Sequence, residues 1–214
     1  MTVNYPLTNL ISLPAGKSGK MKIVQEGYEA GKEFTVVSLR TSIMTGQQQA
    51  KYVADRLGTI HKLKEEGNTW MSDLPCEIYQ HMKFVPLLKG DILVGGLGLG
   101  LILKMLEFNS EVKSVTIVEK SQDVINLVWP NLNLRYPATI VNDDLFEFLK
   151  KCKTRNWKML KRKFDSAYYD IWACDSGLVW YEYIEPLREL SKGIISQKNI
   201  YCWQEDVISS QRWK

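Results

Sequence analysis

A chain of 214 residues can bury one good core, or one core plus a small appendage, and with 45% apolar and 24% charged residues it has the make-up of an ordinary soluble globular protein. A net charge of +4 admits an anionic partner without demanding one. Cys76, Cys152, Cys174 and Cys202 are scattered with no C-x-x-C pair, the first twenty residues have no secretory pattern, and the apolar stretch Ile92–Leu106 is too short and glycine-rich to span a bilayer; the expectation is a reduced, cytoplasmic protein with no metal site and no membrane partner.

Residues 1 to about 20, with Pro6, Pro14, Gly16 and Gly19, read as an irregular arm. Lys22–Glu26 and Glu33–Arg40 are strand-like runs around Gly27-Tyr28-Glu29-Ala30-Gly31, which predicts a hairpin with a long loop. Ala50, Val53, Ala54 and Leu57 give Gln47–Leu57 a helical stripe that stops at Gly58. Thr59–Leu63 and Thr69–Ser72 bracket Glu65-Glu66-Gly67-Asn68, a second hairpin signal. Residues 1–72 therefore form a small β-rich unit, and residues 73–214 a second domain. In that domain Pro75–Phe84 predicts a helix with proline in its first turn. Strands over Asp91–Val94, Ser114–Val118, Thr139–Val141 and Ser166–Tyr169 then alternate with helices over Leu99–Phe108, Val124–Val128, Leu145–Lys151 and Tyr181–Ser191. Ile194–Trp203 holds a fifth strand. Such alternation implies right-handed crossovers and a doubly wound, mostly parallel α/β sheet of Rossmann-like type.

Gly95-Gly96-Leu97-Gly98-Leu99-Gly100 follows the first of these strands and opens a helix, the context in which glycines let a backbone turn tightly and approach a ligand. A dinucleotide loop of the form G-x-G-x-x-G counted from Gly96 places its third glycine at 101, which is Leu101; the G-x-G-x-G spacing of Gly96, Gly98 and Gly100 resembles that of class I methyltransferases and the related aminopropyltransferases. Glu119 ends the second strand about twenty residues on, where an acid accepts both hydroxyls of a ribose. Asp143 and Asp144 close the third strand; they suit an adenine amino group or, equally, the cap of the helix that follows. Asp170 ends the fourth strand among Tyr168, Tyr169 and Trp172, a carboxylate suited to act as general base or to hold a cation. Lys150–Lys163 carries eight basic residues and no acidic one, a stretch that serves a phosphate backbone or simply a solvated surface. His61 and His81 show no ligand spacing with acids or cysteines.

From Thr59 to Asp170 the sequence resembles the spermidine synthase branch of the class I S-adenosylmethionine-dependent methyltransferase superfamily. Glu66-Gly67-Asn68-Thr69-Trp70 stands at that branch's D-G-x-x-Q hairpin, Pro75-Cys76-Glu77-Ile78-Tyr79-Gln80 at its D-E-x-x-Y-H, and Glu147-Phe148-Leu149 at its E-F-L. Phe164 to Asp170 resembles its Y-D-x-x-x-x-D strand, which implies that Asp170 is the catalytic base. The resemblance implies a site for S-adenosylmethionine, or its decarboxylated form, on Gly95, Gly96, Leu97, Gly98, Gly100, Glu119, Asp143 and Asp144. Trp70, Tyr79 and Trp172 then become walls of a substrate pocket. The departures are Trp70 for the glutamine, Pro75-Cys76 for the acidic pair, Gln80 for the histidine, and Gly98 where the branch carries an aspartate. A polyamine bound without those carboxylates forfeits charge-assisted hydrogen bonds of about 1.5–3 kcal/mol each. The expectation is thus a methyltransferase acting on a small molecule. An aminopropyltransferase of altered acceptor, or a non-catalytic binder of adenosyl ligands, is the alternative. The sheet is expected to be shortened at its C-terminal end, a nucleic-acid partner would use Lys150–Lys163, and a homodimer is compatible with the reading.

Overall fold

A computed structural model describes residues 7–37, 42, 46–154, 164–173 and 176–211. The chain divides into two units, Met1–Val85 with Gly98–Phe108 and Asp123–Leu134, and Pro86–Leu97 with Asn109–Gln122 and Arg135–Lys214.

In the first unit β1 (Gly16–Ser18), β2 (Met21–Tyr28), β5 (Gly58–Glu65) and β6 (Asn68–Ser72) form an antiparallel sheet in the order β1-β2-β5-β6. The arm expected over the first twenty residues thus contributes a strand, and its Leu10, Ile11 and Leu13 are buried. The Gly27–Gly31 hairpin does not form: β2 pairs along its whole length with β5, from Met21 opposite Glu65 to Tyr28 opposite Gly58. The cause is period-2 burial, since Ile23 opposes Leu63 and both side chains are sealed from solvent. The second predicted hairpin is present, and Glu66 and Gly67 turn it with φ of 48° and 95°, the left-handed pair that matches strand twist.

Nor is Gln47–Leu57 a helix. Its centre is β4 (Ala50–Val53), antiparallel to β3 (Glu33–Val37), with Tyr52 opposite Phe34 and Lys51 bonded to Glu33 at 2.9 Å. Cross-strand pairing has overridden a helical spacing of apolar residues. Tyr28 meets Phe34 edge-on at 5.2 Å and joins Ala54 and Ile60 in a small core. Helix α1 (Pro75–Met82) begins with proline as expected, and half-buried Glu77 in its first turn accepts the N–H and hydroxyl of Ser72.

A buried pair ties this unit together. His61 and Asp73 are 3% and 1% exposed, and His61 Nδ1 donates to Asp73 Oδ2 at 2.7 Å while Asp73 Oδ1 accepts the backbone N–H of His61. The other ring nitrogen, Nε2, accepts the Leu13 N–H at 3.4 Å, so each ring nitrogen has its own partner.

The second unit is the predicted parallel sheet, in the order β11-β10-β7-β8-β9, built from β7 (Gly90–Gly95), β8 (Val112–Glu119), β9 (Ala138–Asn142), β10 (Ser166–Tyr169) and β11 (Ile200–Cys202). Ile92, Leu93 and Val94 are all buried, as in a strand covered on both faces. Helices α4 (Leu145–Lys153), α5 (Glu185–Ser191) and α6 (Glu205–Ser210) contribute Phe148, Leu149, Leu187 and Ile208 to a core with Leu93, Tyr169, Ile200 and Cys202. A π-helical turn, Trp180–Ile184, leads into α5. Helices α2 (Leu101–Leu106) and α3 (Gln122–Val128) follow β7 and β8 in the chain. Among the described residues no helix is long and apolar enough to cross a membrane.

His61→Ala leaves the Asp73 carboxylate buried and short of a donor. It should lower unfolding free energy by roughly 3 kcal/mol, measured by urea denaturation with a probe in the N-terminal unit.

Candidate functional site

The order of the parallel sheet reverses beside β7: the chain runs β7, β8, β9 to one side and then returns to β10 on the other. Ligands of open α/β sheets gather at the carboxyl ends of strands flanking such a reversal. Here those ends carry the glycine loop after β7, Glu119 at the end of β8, Asp143 and Asp144 after β9, and Asp170 after β10.

The two flanking strands are fastened together. Asp170 donates its backbone N–H to the Gly95 carbonyl at 2.9 Å. At Gly96 φ is +94°, and a Cβ there would stand 2.3 Å from the Asp170 carbonyl oxygen, so only glycine fits. Gly95 is hemmed in by Leu145, whose Cδ2 would lie 2.4 Å from an added Cβ. Gly96 N–H goes to the Val118 carbonyl at 2.9 Å, and Leu97 N–H to Glu119 Oε2 at 2.8 Å.

Glu119 is therefore held in place before any ligand arrives. Its other oxygen, Oε1, accepts the Ser121 N–H at 2.7 Å. A carboxylate has about four lone-pair sites, so about one per oxygen remains, a pair of acceptors suited to the two hydroxyls of a vicinal diol.

Asp144 is the N-cap of α4: Oδ1 accepts the Phe146 and Glu147 N–H groups at 2.9 and 3.4 Å, and Lys120 bonds Oδ2 at 3.1 Å. Burial pushes its carboxyl up, but the Lys120 ammonium and the two N–H groups outweigh it and hold the acid below its ordinary value. Asp143 accepts the Asp144 N–H at 3.0 Å and Lys151 at 2.6 Å. Of the two readings of this acidic pair the cap is visible in the geometry. The whole edge nevertheless holds four carboxylates, and Lys120 bonds to Asp144 and Lys151 to Asp143.

The remaining residues divide by unit. Gly98, Leu99 and Gly100 belong to the first unit, where Leu99 N–H points at Met71 Sδ at 3.3 Å and a Cβ on Gly98 would lie 2.4 Å from the same sulfur. Trp70 and Tyr79 lie in the first unit as well; the Trp70 indole donates to Glu65 at 2.8 Å on an exposed hairpin, and Tyr79 is on the exposed side of α1. Trp172 and Asp170 lie in the second, where Tyr168 and Tyr169 are wholly buried core residues rather than walls around Asp170. Lys150, Lys151 and Lys153 sit in the last turn of α4 and bond to Glu147, Asp143 and the Glu189 carbonyl. The rest of the basic stretch, Arg155–Lys163, lies outside the described residues, as does Cys174. Burial pushes the Cys152 thiol up to about 11 and raises Cys202 well above the ordinary thiol range, so neither is a nucleophile near neutral pH. Burial drives His81 down to about 4. No group of three or more His, Cys, Asp or Glu among the described residues could hold a metal ion.

Sequence reasoning missed three participants. Met71 reaches the loop across 28 positions, a contact no local pattern announces. Tyr183 and Trp203 also stand near the site's aromatic residues: Tyr183 is 6.0 Å from Trp172 and 6.3 Å from Phe146, and the Trp203 backbone N–H bonds the Tyr169 carbonyl at 2.9 Å. The aromatic run between residues 180 and 183 was the available signal for Tyr183.

Gly96→Ala should destabilise the second unit by roughly 2–4 kcal/mol through positive φ and backbone collision, read as a lowered melting temperature. Asp144→Ala should cost about 1 kcal/mol at neutral pH. Because the folded acid titrates below the unfolded one, that difference should be full above the ordinary aspartate range. It should close as pH falls through the folded value, as denaturation at stepped pH would show.

No protein-family model and no curated protein matches the chain. Solved structures resemble it, among them two of spermidine synthase. The crystal structure of spermidine synthase from Thermotoga maritima matches 86% of this chain and 52% of its own at 16% identity and a TM-score of 0.46. A crystal structure of spermidine synthase in complex with the transition-state analogue AdoDATO matches 92% of this chain and 64% of its own at 17% identity and a TM-score of 0.50. The chain spans between half and two thirds of the length of those proteins. The likeness to the second is one of fold: this chain has an N-terminal antiparallel β unit and a five-stranded parallel sheet, like spermidine synthase.

Proposed function

We propose that the carboxyl edge of the parallel sheet binds an adenosyl compound and that the protein transfers a methyl group from S-adenosylmethionine to a small-molecule acceptor. The observation that carries this reading is Glu119, fixed by Leu97 and Ser121 N–H groups with an acceptor site left on each oxygen, as a ribose diol requires. The donor set fits a cationic nucleoside better than a dinucleotide. The amides of Gly96 and Leu97 are already committed, and four carboxylates line the edge, so a pyrophosphate would meet repulsion rather than a cradle of N–H groups. A sulfonium ligand supplies, when bound, a carbon already activated for displacement.

The protein's own part is positioning. Glu119 holds the sugar, and Asp143 and Asp144 offer their remaining acceptor sites to the adenine amino group. Asp170, pinned by its backbone to Gly95 and packed under Gly96, is placed to orient the acceptor or take its proton at the carboxylate. A second reading, aminopropyl transfer from decarboxylated S-adenosylmethionine, is favoured by the fold shared with spermidine synthase.

Thermal shift and calorimetry with S-adenosylmethionine, its decarboxylated form, S-adenosylhomocysteine, methylthioadenosine and NAD separate these readings. A ligand at a hundred times its dissociation constant should stabilise the fold by about 2.7 kcal/mol, and Glu119→Ala should abolish the gain. Preference for the decarboxylated donor would favour aminopropyl transfer. Binding of NAD alone, or of no adenosyl compound, would overturn both.

A further inference from the structure

The antiparallel sheet of the first unit sets three lysines in one row. Lys17 of β1 stands directly opposite Lys22 of β2, and Lys22 directly opposite Lys64 of β5. Residues opposite one another on antiparallel strands share a face and hold their Cβ atoms about 5 Å apart, so the row runs about 10 Å across the three strands. The alternate residues tell which face it is. Gly16 and Ser18 lie against α3, where an added Cβ on Gly16 would stand 3.3 Å from Leu127 and the Ser18 hydroxyl donates to Asp123 at 2.8 Å. Met21, Ile23 and Leu63, opposite or beside them, are buried. Lys17, Lys22 and Lys64 therefore project from the other side, where Lys17 and Lys22 are exposed and Lys64 partly so.

Like charges directly opposite repel, and a sheet gains by setting acids among its lysines instead. The rest of this unit does so: Lys20 pairs with Glu66 at 3.0 Å, Lys51 with Glu33 at 2.9 Å, and Lys62, on the same face as the row, with Glu26 at 2.7 Å. Lys17, Lys22 and Lys64 form no ion pair with another described residue. Glu26 is held below its ordinary value first by the Lys62 bond, and Lys64 adds only a weaker pull. Val24, Glu26 and Lys62 continue the face beyond the row, with no ring or amide among them, and further on Ile60 and Tyr28 turn into the small core. Among the described residues β1, β2 and β5 expose no large apolar side chain. Such a surface attracts a polyanion but has neither the apolar anchors that enter a lipid layer nor the groups that read a base. About 10 Å of nucleic-acid duplex carries about three phosphates on each strand, a match for three ammonium groups in line.

We propose that the open face of β1, β2 and β5 is a docking surface for a nucleic-acid duplex, held through its phosphate backbone by Lys17, Lys22 and Lys64 without regard to base sequence. The three lysines belong to the first unit, whereas the basic stretch Lys150–Lys163 belongs to the second, where Lys150, Lys151 and Lys153 are engaged by Glu147, Asp143 and the Glu189 carbonyl. The surface does not rest on the transferase reading, and each stands or falls without the other.

The test measures anisotropy of a short fluorescein-labelled DNA duplex titrated with the full chain at stepped salt. Two triple variants remove the same charge: Lys17→Gln with Lys22→Gln and Lys64→Gln, and, as a control, Lys158→Gln with Lys161→Gln and Lys163→Gln. The row variant should lose at least tenfold in affinity at low salt. Its slope of log affinity against log salt should flatten by about 2.7, as expected for three phosphate contacts at about 0.9 each. The control should keep most of the affinity and the slope. Relief of the repulsion should leave the row variant's melting temperature unchanged or raised, which separates lost binding from lost fold. Should the triple variant fold poorly, Lys22→Gln alone decides, with a slope flattened by about 0.9. The proposal is overturned if the wild-type chain does not bind the duplex, if the control loses as much as the row variant, or if affinity follows base sequence. Tighter binding to vesicles of equal parts phosphatidylserine and phosphatidylcholine, or to polyglutamate, would overturn it as well.

Discussion

Much of the second unit depends on one close approach, that of the Gly96 backbone to the Asp170 carbonyl. The space there admits a hydrogen and nothing larger, and the left-handed φ of Gly96 turns the chain away from the sheet at that point. Because the Asp170 N–H is bonded to Gly95, β7 and β10 end at the same level. The Leu97 amide, one residue further on, is then delivered to Glu119 at the end of the next strand. These contacts relate the loop to the Asp170 backbone and, through the Leu97 amide, hold the Glu119 carboxylate in one orientation, which suits a site that must hold a ligand in one orientation.

The same contacts set the ligand class by donor balance. Glycine loops that bind phosphates offer unspent N–H groups. In this unit Gly96 and Leu97 spend theirs on Val118 and Glu119, and the acceptors that remain belong to carboxylates. Surplus acceptors select hydroxyls, amino groups and positive charge.

The parallel sheet was legible in the sequence because β7, β8 and β10 are short, largely apolar runs closed by Gly95, Glu119 and Asp170, and because helices lie between the strands in the chain. Ser166–Tyr169 was located to the residue, and Glu119 and Asp170 fell at strand ends as their positions implied. The first unit was not legible in its pairing. Ala50, Val53, Ala54 and Leu57 satisfy a helical period, yet Tyr52 opposite Phe34 and the Lys51–Glu33 bond hold that segment as a strand. β2 passes over its neighbour in sequence to pair with β5, a choice made by burial across more than thirty residues. His61 and Asp73 looked unrelated for the same reason, since their bond exists only once β5 and the turn into α1 are in place.

The Tyr169 hydroxyl meets Ser191 Oγ at 2.8 Å, and Ser191 in turn bonds the Leu187 carbonyl at 2.7 Å, which fastens β10 to α5. Arg188 bonds both oxygens of Glu205, at 2.9 and 2.7 Å, and the carbonyls of Gln197 and Ile200, which fastens α5 to β11 and to α6. Burial works against the Arg188 charge, but the Glu205 carboxylate more than compensates and strengthens its hold on the proton. With β10 and β11 locked on this side, Trp172 and Trp203 are held at the strand ends by their backbones.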